Sequence, residues 1–142
     1  MQQCKKGRTM KKLNVLVDWC DKNYSAFINE DVDGVIIVTD KTLNDLKTKL
    51  QEATAFHFEG LGEEAEDWMV SGDFSFEYSY TMSAILQNAL NFTTLAALSR
   101  ITGIKHAQLS HYANAVSRPK QEQYNKIISG LHAIGQACLS IN

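Results

Sequence analysis

Residues 95–119 read LAALSRITGIKHAQLSHYANAVSRP, and this stretch decides how the C-terminal half of the chain is interpreted. The pattern predicts two short helices joined by a tight turn at Gly103, because glycine readily adopts the positive φ angle that such a turn requires. Arg118 and Pro119 follow the second helix and mark its exit. Two helices in this layout are typical of a helix-turn-helix, whose second helix enters the major groove of DNA.

The predicted second helix, Lys105 to Asn114, has an apolar side and a polar side. The positions expected to pack these two helices onto a core are Leu95, Leu98, Ile101, Ile104, Leu109 and Tyr112. The positions expected to bind DNA are Thr94, Lys105, His106, Gln108, Ser110, His111, Asn114 and Arg118. Gln and Asn suit adenine, and Lys suits guanine or phosphate. A plain helical hairpin without a DNA role is the alternative interpretation.

Charge is distributed unevenly along the chain. The whole sequence carries 14 Lys and Arg and 16 Asp and Glu side chains, a formal net charge of -2. Residues 1–80 hold 9 basic and 15 acidic side chains, whereas residues 81–142 hold 5 basic and 1 acidic. Such asymmetry indicates a nucleic-acid-binding module joined to a part with another role.

The N-terminal half predicts a small sheet covered by one helix. Alternating apolar and polar residues, and one β-branched run, predict four strands at about residues 13–20, 24–29, 35–38 and 74–81. Asp40 or Thr42 is expected to cap the helix, which ends near His57 with Gly60 as its stop signal. The apolar face of this helix is expected to consist of Leu43, Leu46, Leu50, Ala53 and Phe56.

These elements predict an α+β fold with two domains. Residues 1–9 are interpreted as a loose tail or as an upstream start added to a shorter natural chain. Residues 10–80 are interpreted as a β-β-β-α-β domain, and residues 81–142 as an all-α domain. The final helix carries an apolar stripe from Tyr124 to Cys138 that is longer than one small core needs. We therefore expect part of it to form an interface in a homodimer or a higher even oligomer.

Several protein classes are disfavoured by the sequence. No apolar run is long enough to span a membrane, and the N-terminus does not have the pattern of a secretory signal. The cysteines Cys4, Cys20 and Cys138 form neither a disulfide framework nor a metal motif, which favours the cytoplasm. We expect no cofactor, no bound metal and no enzyme activity, because no catalytic motif is present. A nuclease site made of aspartates at the strand ends is a minor alternative.

Residues 63–68, EEAEDW, form an acidic segment with an aromatic end. It is interpreted as a contact surface for a basic partner through electrostatic complementarity. The candidate partner-binding residues are Glu63, Glu64, Glu66, Asp67 and Trp68. An ordinary solvated face, with Trp68 packed in the core, is the alternative.

Two resemblances connect these patterns to known families. The C-terminal half resembles the Cro and phage-repressor class of helix-turn-helix at Leu98, Ser99, Gly103, Leu109, Tyr112, Asn114 and Arg118-Pro119. It departs at Ala115, where that class often has glycine. The order of elements as a whole resembles a HicB-type antitoxin, through KKLNVLVDWCDKNYSAFINE (residues 11–30), Asp33-Gly34, Thr42 and FHFEG (residues 56–60). It departs between Ile36 and Thr42, which lacks the glycine common before the helix.

The resemblance to HicB implies a specific function. The N-terminal domain would have a partial ribonuclease-H-like fold without catalysis and would bind and occlude a HicA-type toxin that cleaves mRNA. The C-terminal domain would dimerise and repress its own toxin–antitoxin operon by binding operator DNA. The alternative is a DNA-binding transcriptional regulator whose N-terminal sheet domain senses a small ligand or another protein.

Overall fold

The protein is described by a computed structural model over residues 10–141. The tail expected at residues 1–9 lies outside the described residues. The architecture is mixed α and β, and the chain divides into two compact units between Ser79 and Tyr80. No helix within residues 10–141 combines the length and the apolar character needed to cross a membrane.

The N-terminal unit is built on a four-stranded sheet with the order β3-β2-β1-β4. Its strands are β1 (Lys11–Cys20), β2 (Asn23–Ile28), β3 (Ile36–Asp40) and β4 (Phe74–Tyr80). The pairs β1–β2 and β2–β3 are antiparallel. β4 runs parallel to β1, since Lys11 N donates to Asp73 O at 3.0 Å and Ser79 Oγ donates to Val15 O at 3.4 Å. The sheet is therefore mixed.

A tight turn connects the first two strands. Asp21 and Lys22 have φ angles of 50° and 70°. Positive φ at both central residues matches the right-handed twist of the strands that they join. Alternate residues are buried on one face of the sheet: Leu13, Val15 and Val17 in β1, and Tyr24, Ala26 and Ile28 in β2.

The helix α1 (Leu43–Leu61) packs on that buried face. It begins after Thr42, whose side chain accepts a hydrogen bond from Asp45 N at 3.2 Å. The predicted end near His57 is wrong, because the helix continues to Leu61 and ends at Gly62 with φ 57°.

The predicted apolar face of α1 also needs correction. The buried side chains are Leu46, Leu50, Thr54 and Phe58, which follow each other at intervals of four. Phe56 is 78% exposed, because it lies about 200° around the helix from its buried neighbours Thr54 and Phe58. The buried face was predicted wrongly because the buried Thr54 is polar and the exposed Phe56 is apolar.

A short 3₁₀ turn (Gly62–Glu64) and the helix α2 (Asp67–Ser71) return the chain to β4. Trp68 of α2 packs edge-on against Phe58 and Phe74, with ring centroids 5.4 and 6.1 Å away, and Phe58 contacts Phe74 at 5.3 Å. Such T-shaped aromatic pairs are favourable beyond their buried area. This cluster anchors the acidic segment to the sheet.

The C-terminal unit is helical. Its helices are α3 (Met82–Ala89), α4 (Leu95–Thr102), α5 (His106–Ala113) and α6 (Gln121–Leu139). They share one core, formed by Met82, Leu86, Leu98, Ile104, Leu109, Tyr112, Ala113 and Ile127. Ile101 was expected in this core but is 47% exposed, so that part of the prediction is wrong.

Candidate nucleic-acid interface

The turn between α4 and α5 is fixed by local hydrogen bonds. Gly103 has φ 76°, and its N–H donates to Ser99 O at 2.9 Å, which closes α4. Ser99 Oγ donates to Ile104 O at 2.6 Å. The small Ser99 side chain therefore joins the last turn of α4 to the residue that leads into α5.

Buried anchors set the orientation of α5. Leu109, Tyr112 and Ala113 are buried in the core of the unit. Gln87 of α3 donates from Nε2 to Ala113 O at 2.8 Å, which holds the C-terminal end of the helix. The sides of α5 away from these anchors face outward and are mostly polar, with Ala107 as the exposed apolar residue.

The structure places most of the predicted DNA-binding residues on that accessible surface. The exposed ones are Thr94, Lys105, His106, His111, Asn114 and Arg118. Gln108 and Ser110 are half-buried. Lys105 and His106 stand at the beginning of α5, where a helix dipole is positive and favours a bound anion.

Three of these residues also have structural partners. Thr94 caps α4, since its Oγ1 accepts from Ala97 N at 3.0 Å. Asn114 Nδ2 donates to Ser110 O at 2.9 Å, and Gln108 Nε2 lies 3.4 Å from Ser117 Oγ. These contacts fix the side chains near the surface, which lowers the entropy lost when they bind a ligand.

The exit from α5 turns sharply at Ala115. Ala115 has φ 59°, a left-handed conformation in which glycine is more stable than alanine. Val116 N donates to His111 O at 2.9 Å and closes the turn, which leads to the exposed Arg118. Ala115 is a position where the chain departs from the helix-turn-helix pattern, and its backbone has the geometry that suits the glycine common there.

The positive charges of the C-terminal unit are accessible. Its basic side chains Arg100, Lys105, Arg118, Lys120 and Lys126 are all exposed. Glu122 is the one acidic residue in positions 81–142, and it pairs with Lys126 at 3.7 Å. This balance of charge favours binding to phosphate.

The acidic segment of the N-terminal unit forms a second candidate surface. Glu63, Glu64, Glu66 and Asp67 are exposed. Trp68 is half-buried in the aromatic cluster, and its Nε1 donates to the carboxylate of Glu66. Trp68 therefore packs within this cluster, and part of its surface remains accessible.

A groove of about 520 Å³ lies beside the acidic segment, lined by residues of α1, α2 and β4. Phe58, Met69 and Phe74 form its apolar wall, and Val70 borders it with 77% of its surface exposed. Val70 was not predicted from the sequence as a surface residue. The apolar pair Met69-Val70 directly after Trp68 could have indicated an apolar surface in this segment. Which of the two side chains faces solvent, however, depends on how α2 packs.

The histidine of α1 has a structural role. His57 donates from Nε2 to Asp33 O at 2.6 Å and so fastens the loop before β3. No three His, Cys, Asp or Glu side chains within residues 10–141 are grouped as a metal site would need. The same holds for the aspartates at the strand ends, on which the nuclease alternative was based.

Comparisons with protein-family models, with curated proteins and with solved structures find no match to this chain.

Proposed function

We propose that the chain is an antitoxin that also represses its own operon. Its C-terminal unit binds operator DNA as a helix-turn-helix, and its N-terminal unit binds and neutralises a HicA-type mRNA-cleaving toxin in the cytoplasm. The observation that carries the proposal is α5, a short helix anchored by buried residues on one side and polar on the other.

The dimensions of α5 suit a DNA groove. An α-helix with its side chains is about 10–12 Å across, which the major groove of B-DNA admits, and the eight residues of α5 extend about 12 Å along it. Lys105, His106 and Gln108 stand near its N-terminal end, the part of a recognition helix that contacts base edges. Arg118, beyond the C-terminal end, is suited to a phosphate contact. Because operators present paired half-sites, this function also requires a homodimer or a higher even oligomer.

The N-terminal unit supports the toxin-binding half of the proposal. Its main elements follow the β-β-β-α-β order of the HicB resemblance, with the 3₁₀ turn and α2 inserted before the last strand, and we propose that this sheet is the partial ribonuclease-H-like domain. A protein that binds RNA is expected to be basic, and the exposed acids of residues 63–67 complement such a surface. The adjacent groove provides an apolar contact at the same place.

The DNA-binding half is tested by Lys105→Ala combined with Gln108→Ala. We expect the double variant to lose binding to the promoter DNA of its own operon in a mobility-shift titration while still neutralising the toxin. Lys22→Ala combined with Gln51→Ala removes the same residue types from exposed positions of the N-terminal unit and serves as the control, which should bind DNA normally. Normal DNA binding by the first variant would refute α5 as the recognition helix.

The toxin-binding half is tested by reversing charge in the acidic segment. Glu64→Lys with Asp67→Lys is expected to abolish growth rescue and co-purification when the chain is co-expressed with the small basic protein encoded beside it. Glu30→Lys with Glu52→Lys changes the charge equally at exposed positions outside the segment and should retain both. Equal behaviour of the two variants would refute this surface as the toxin contact.

The second candidate function is a transcriptional regulator whose N-terminal unit senses a small ligand. The groove beside α2 favours it, since about 520 Å³ lies within the size range of small-molecule sites. Under this function, co-expression with the neighbouring small protein gives no complex. Val70→Trp, which fills the mouth of the groove, would then abolish the response of the promoter without affecting DNA binding.

A further inference from the structure

One edge of the N-terminal sheet is unusually apolar. β3 is the outer strand of the sheet, with β2 as its neighbour on one side. Val35, Ile37 and Phe56 are 52%, 60% and 78% exposed, and all three line one groove of about 430 Å³ between β3 and α1. Exposed apolar side chains that cluster in this way mark interaction surfaces, whereas scattered ones do not.

The apolar edge continues across the open face of the sheet. Leu16 of β1 is paired with Phe27 of β2, and Phe27 is paired with Ile37 of β3. Leu16 is 43% exposed and Phe27 is half-buried, so the three side chains form an apolar row that leads to the edge. A strand added beside β3 would extend this row.

The backbone of β3 is suited to receive another strand. An edge strand presents N–H and C=O groups on its outer side, and proteins commonly protect such edges with lysine. Lys49 provides this protection at one end, since its Nζ donates to Thr39 O at 2.8 Å and contacts Asp40 Oδ2 at 3.0 Å. The apolar part of the edge around Ile37 lies two residues from that protected carbonyl.

The charges at the two ends of the strand indicate which partner fits. Asp33 precedes β3 and Lys41 follows it, and both are exposed. Ile37 lies midway between them. If two β3 strands pair antiparallel about Ile37, Asp33 of each copy lies at the end that carries Lys41 of the other. The edge is therefore complementary in charge to itself.

We propose that β3 pairs antiparallel with β3 of a second copy of this chain, about a two-fold axis at Ile37. The two sheets then form one continuous sheet, and the apolar row of one copy meets that of the other at Ile37. Phe56 lies beside the same edge and becomes covered by the second copy. This contact is separate from the interface expected along α6, and it does not depend on the toxin or on DNA.

Thiol cross-linking tests the proposal on the full chain. Ile37→Cys is introduced into a chain in which Cys4, Cys20 and Cys138 are replaced by serine, and a short bismaleimide is added at low protein concentration. Adjacent strands are about 5 Å apart, so the thiols of the two copies are within reach of the reagent. We expect most of the chain to run as a covalent dimer in denaturing electrophoresis.

Two control variants separate edge pairing from other contacts. Leu16 lies on the same face as Ile37, but in the paired sheets it is five strand spacings, about 24 Å, from Leu16 of the second copy. Leu16→Cys should therefore not cross-link. Val70→Cys is more exposed than Ile37→Cys and should not cross-link either, which excludes random collision. A missing cross-link at Ile37, or equal yields at Leu16 or Val70, overturns the proposal.

Charge reversal provides a second, independent measurement. Lys41→Glu places an acid against Asp33 of the other copy and is expected to reduce the cross-linking of Ile37→Cys at least fivefold. Adding Asp33→Lys to the same chain restores opposite charges and should restore the yield. Equal loss in the single and the double variant would show that the charges do not face each other and would overturn the antiparallel register.

Discussion

Thr54 is a polar residue in an otherwise apolar core position. It is fully buried in α1 between Leu50 and Phe58, and within residues 10–141 its Oγ1 has no hydrogen-bond partner. A buried hydroxyl without a partner loses its hydration and gains nothing in return. Its presence destabilises the N-terminal unit relative to an apolar residue of the same shape.

Thr54→Val is expected to stabilise the N-terminal unit. Valine keeps the branched shape and has a similar helix propensity, so the change in stability comes mainly from removing the buried hydroxyl. We expect the free energy of unfolding to rise by about 1 kcal/mol. Both tryptophans, Trp19 and Trp68, lie in this unit, so denaturant unfolding followed by their fluorescence reports it selectively. The exposed Thr48 donates to Asn44 O, and Thr48→Val should change stability by less than about 0.5 kcal/mol. A loss of stability in Thr54→Val would contradict this reasoning.

Asp40 illustrates how one lysine sets a carboxyl pKa. The hydrogen bond from Lys49 at 3.0 Å, followed by the backbone N–H of Lys41 at 2.7 Å, holds the pKa of Asp40 below its ordinary value. The ionised form is thus favoured by folding. Its contribution to stability is present above the pKa of the unfolded chain and is lost as pH falls through the lower pKa of the folded state.

Lys49→Met is expected to raise the pKa of Asp40 toward its ordinary value and to weaken the acid dependence of stability that this group causes. Carbon-detected NMR of the Asp40 carboxyl between about pH 2 and pH 6 measures the shift. Lys41→Met retains the backbone N–H that bonds Asp40 and should leave most of the shift in place. If the two variants gave the same titration curve, the Lys49 hydrogen bond would not be the main cause.

Among the secondary-structure elements, local signals predicted the helix beginnings better than the buried faces. Thr42, one of the two residues expected to cap α1, does so, because a threonine side chain before a helix satisfies a free N–H whatever the tertiary fold. The buried face of α1 was predicted less well, since Thr54 is inside and Phe56 outside. Which face is buried depends on the sheet that the helix meets, and that information is not local.

Two glycines of α6 look alike in sequence but differ in their surroundings. A Cβ at Gly130 would lie 2.8 Å from Thr102 Cγ2 and 3.3 Å from Ile101 Cγ2, whereas a Cβ at Gly135 meets nothing within 4 Å. Gly130 therefore allows α4 and α6 to approach closely. The sequence alone gives no sign of this difference.

Alanine substitutions at these glycines are expected to have opposite effects. Gly135→Ala should raise the free energy of unfolding of the C-terminal unit by about 1 kcal/mol, because alanine favours the helix. Gly130→Ala gains the same propensity but overpacks the stiff side chains of Ile101 and Thr102, and we expect a net loss of about 1 kcal/mol. Thermal unfolding followed by circular dichroism compares the two. If Gly130→Ala and Gly135→Ala stabilised the unit equally, α4 and α6 would be able to move apart without loss of stability, which would contradict the close packing at Gly130.

The whole molecule combines an acidic unit with a basic one, and the sequence predicted this division of charge. The reason is that charge is a sum over residues and needs no knowledge of packing. The exposure of six of the eight candidate DNA-binding residues also follows from the sequence, since polar residues beside the buried anchors of a short helix are placed at the surface. The apolar edge at Val35, Ile37 and Phe56 was not predicted, because it forms only when β3 becomes the outer strand beside α1.

The charge division predicts how DNA binding responds to salt. Each cation that contacts phosphate releases counterions, so the logarithm of the DNA association constant falls linearly with the logarithm of salt concentration. Under the proposed function Arg118→Gln removes one such contact, and we expect the slope to become less steep by about one unit. Lys22→Gln removes an exposed cation from the acidic unit and should leave the slope unchanged. Fluorescence-anisotropy titrations of the full chain with promoter DNA at several salt concentrations measure both slopes. Equal slopes for the Arg118 variant and the unchanged chain would place Arg118 away from the phosphates and would require another path for DNA beyond α5.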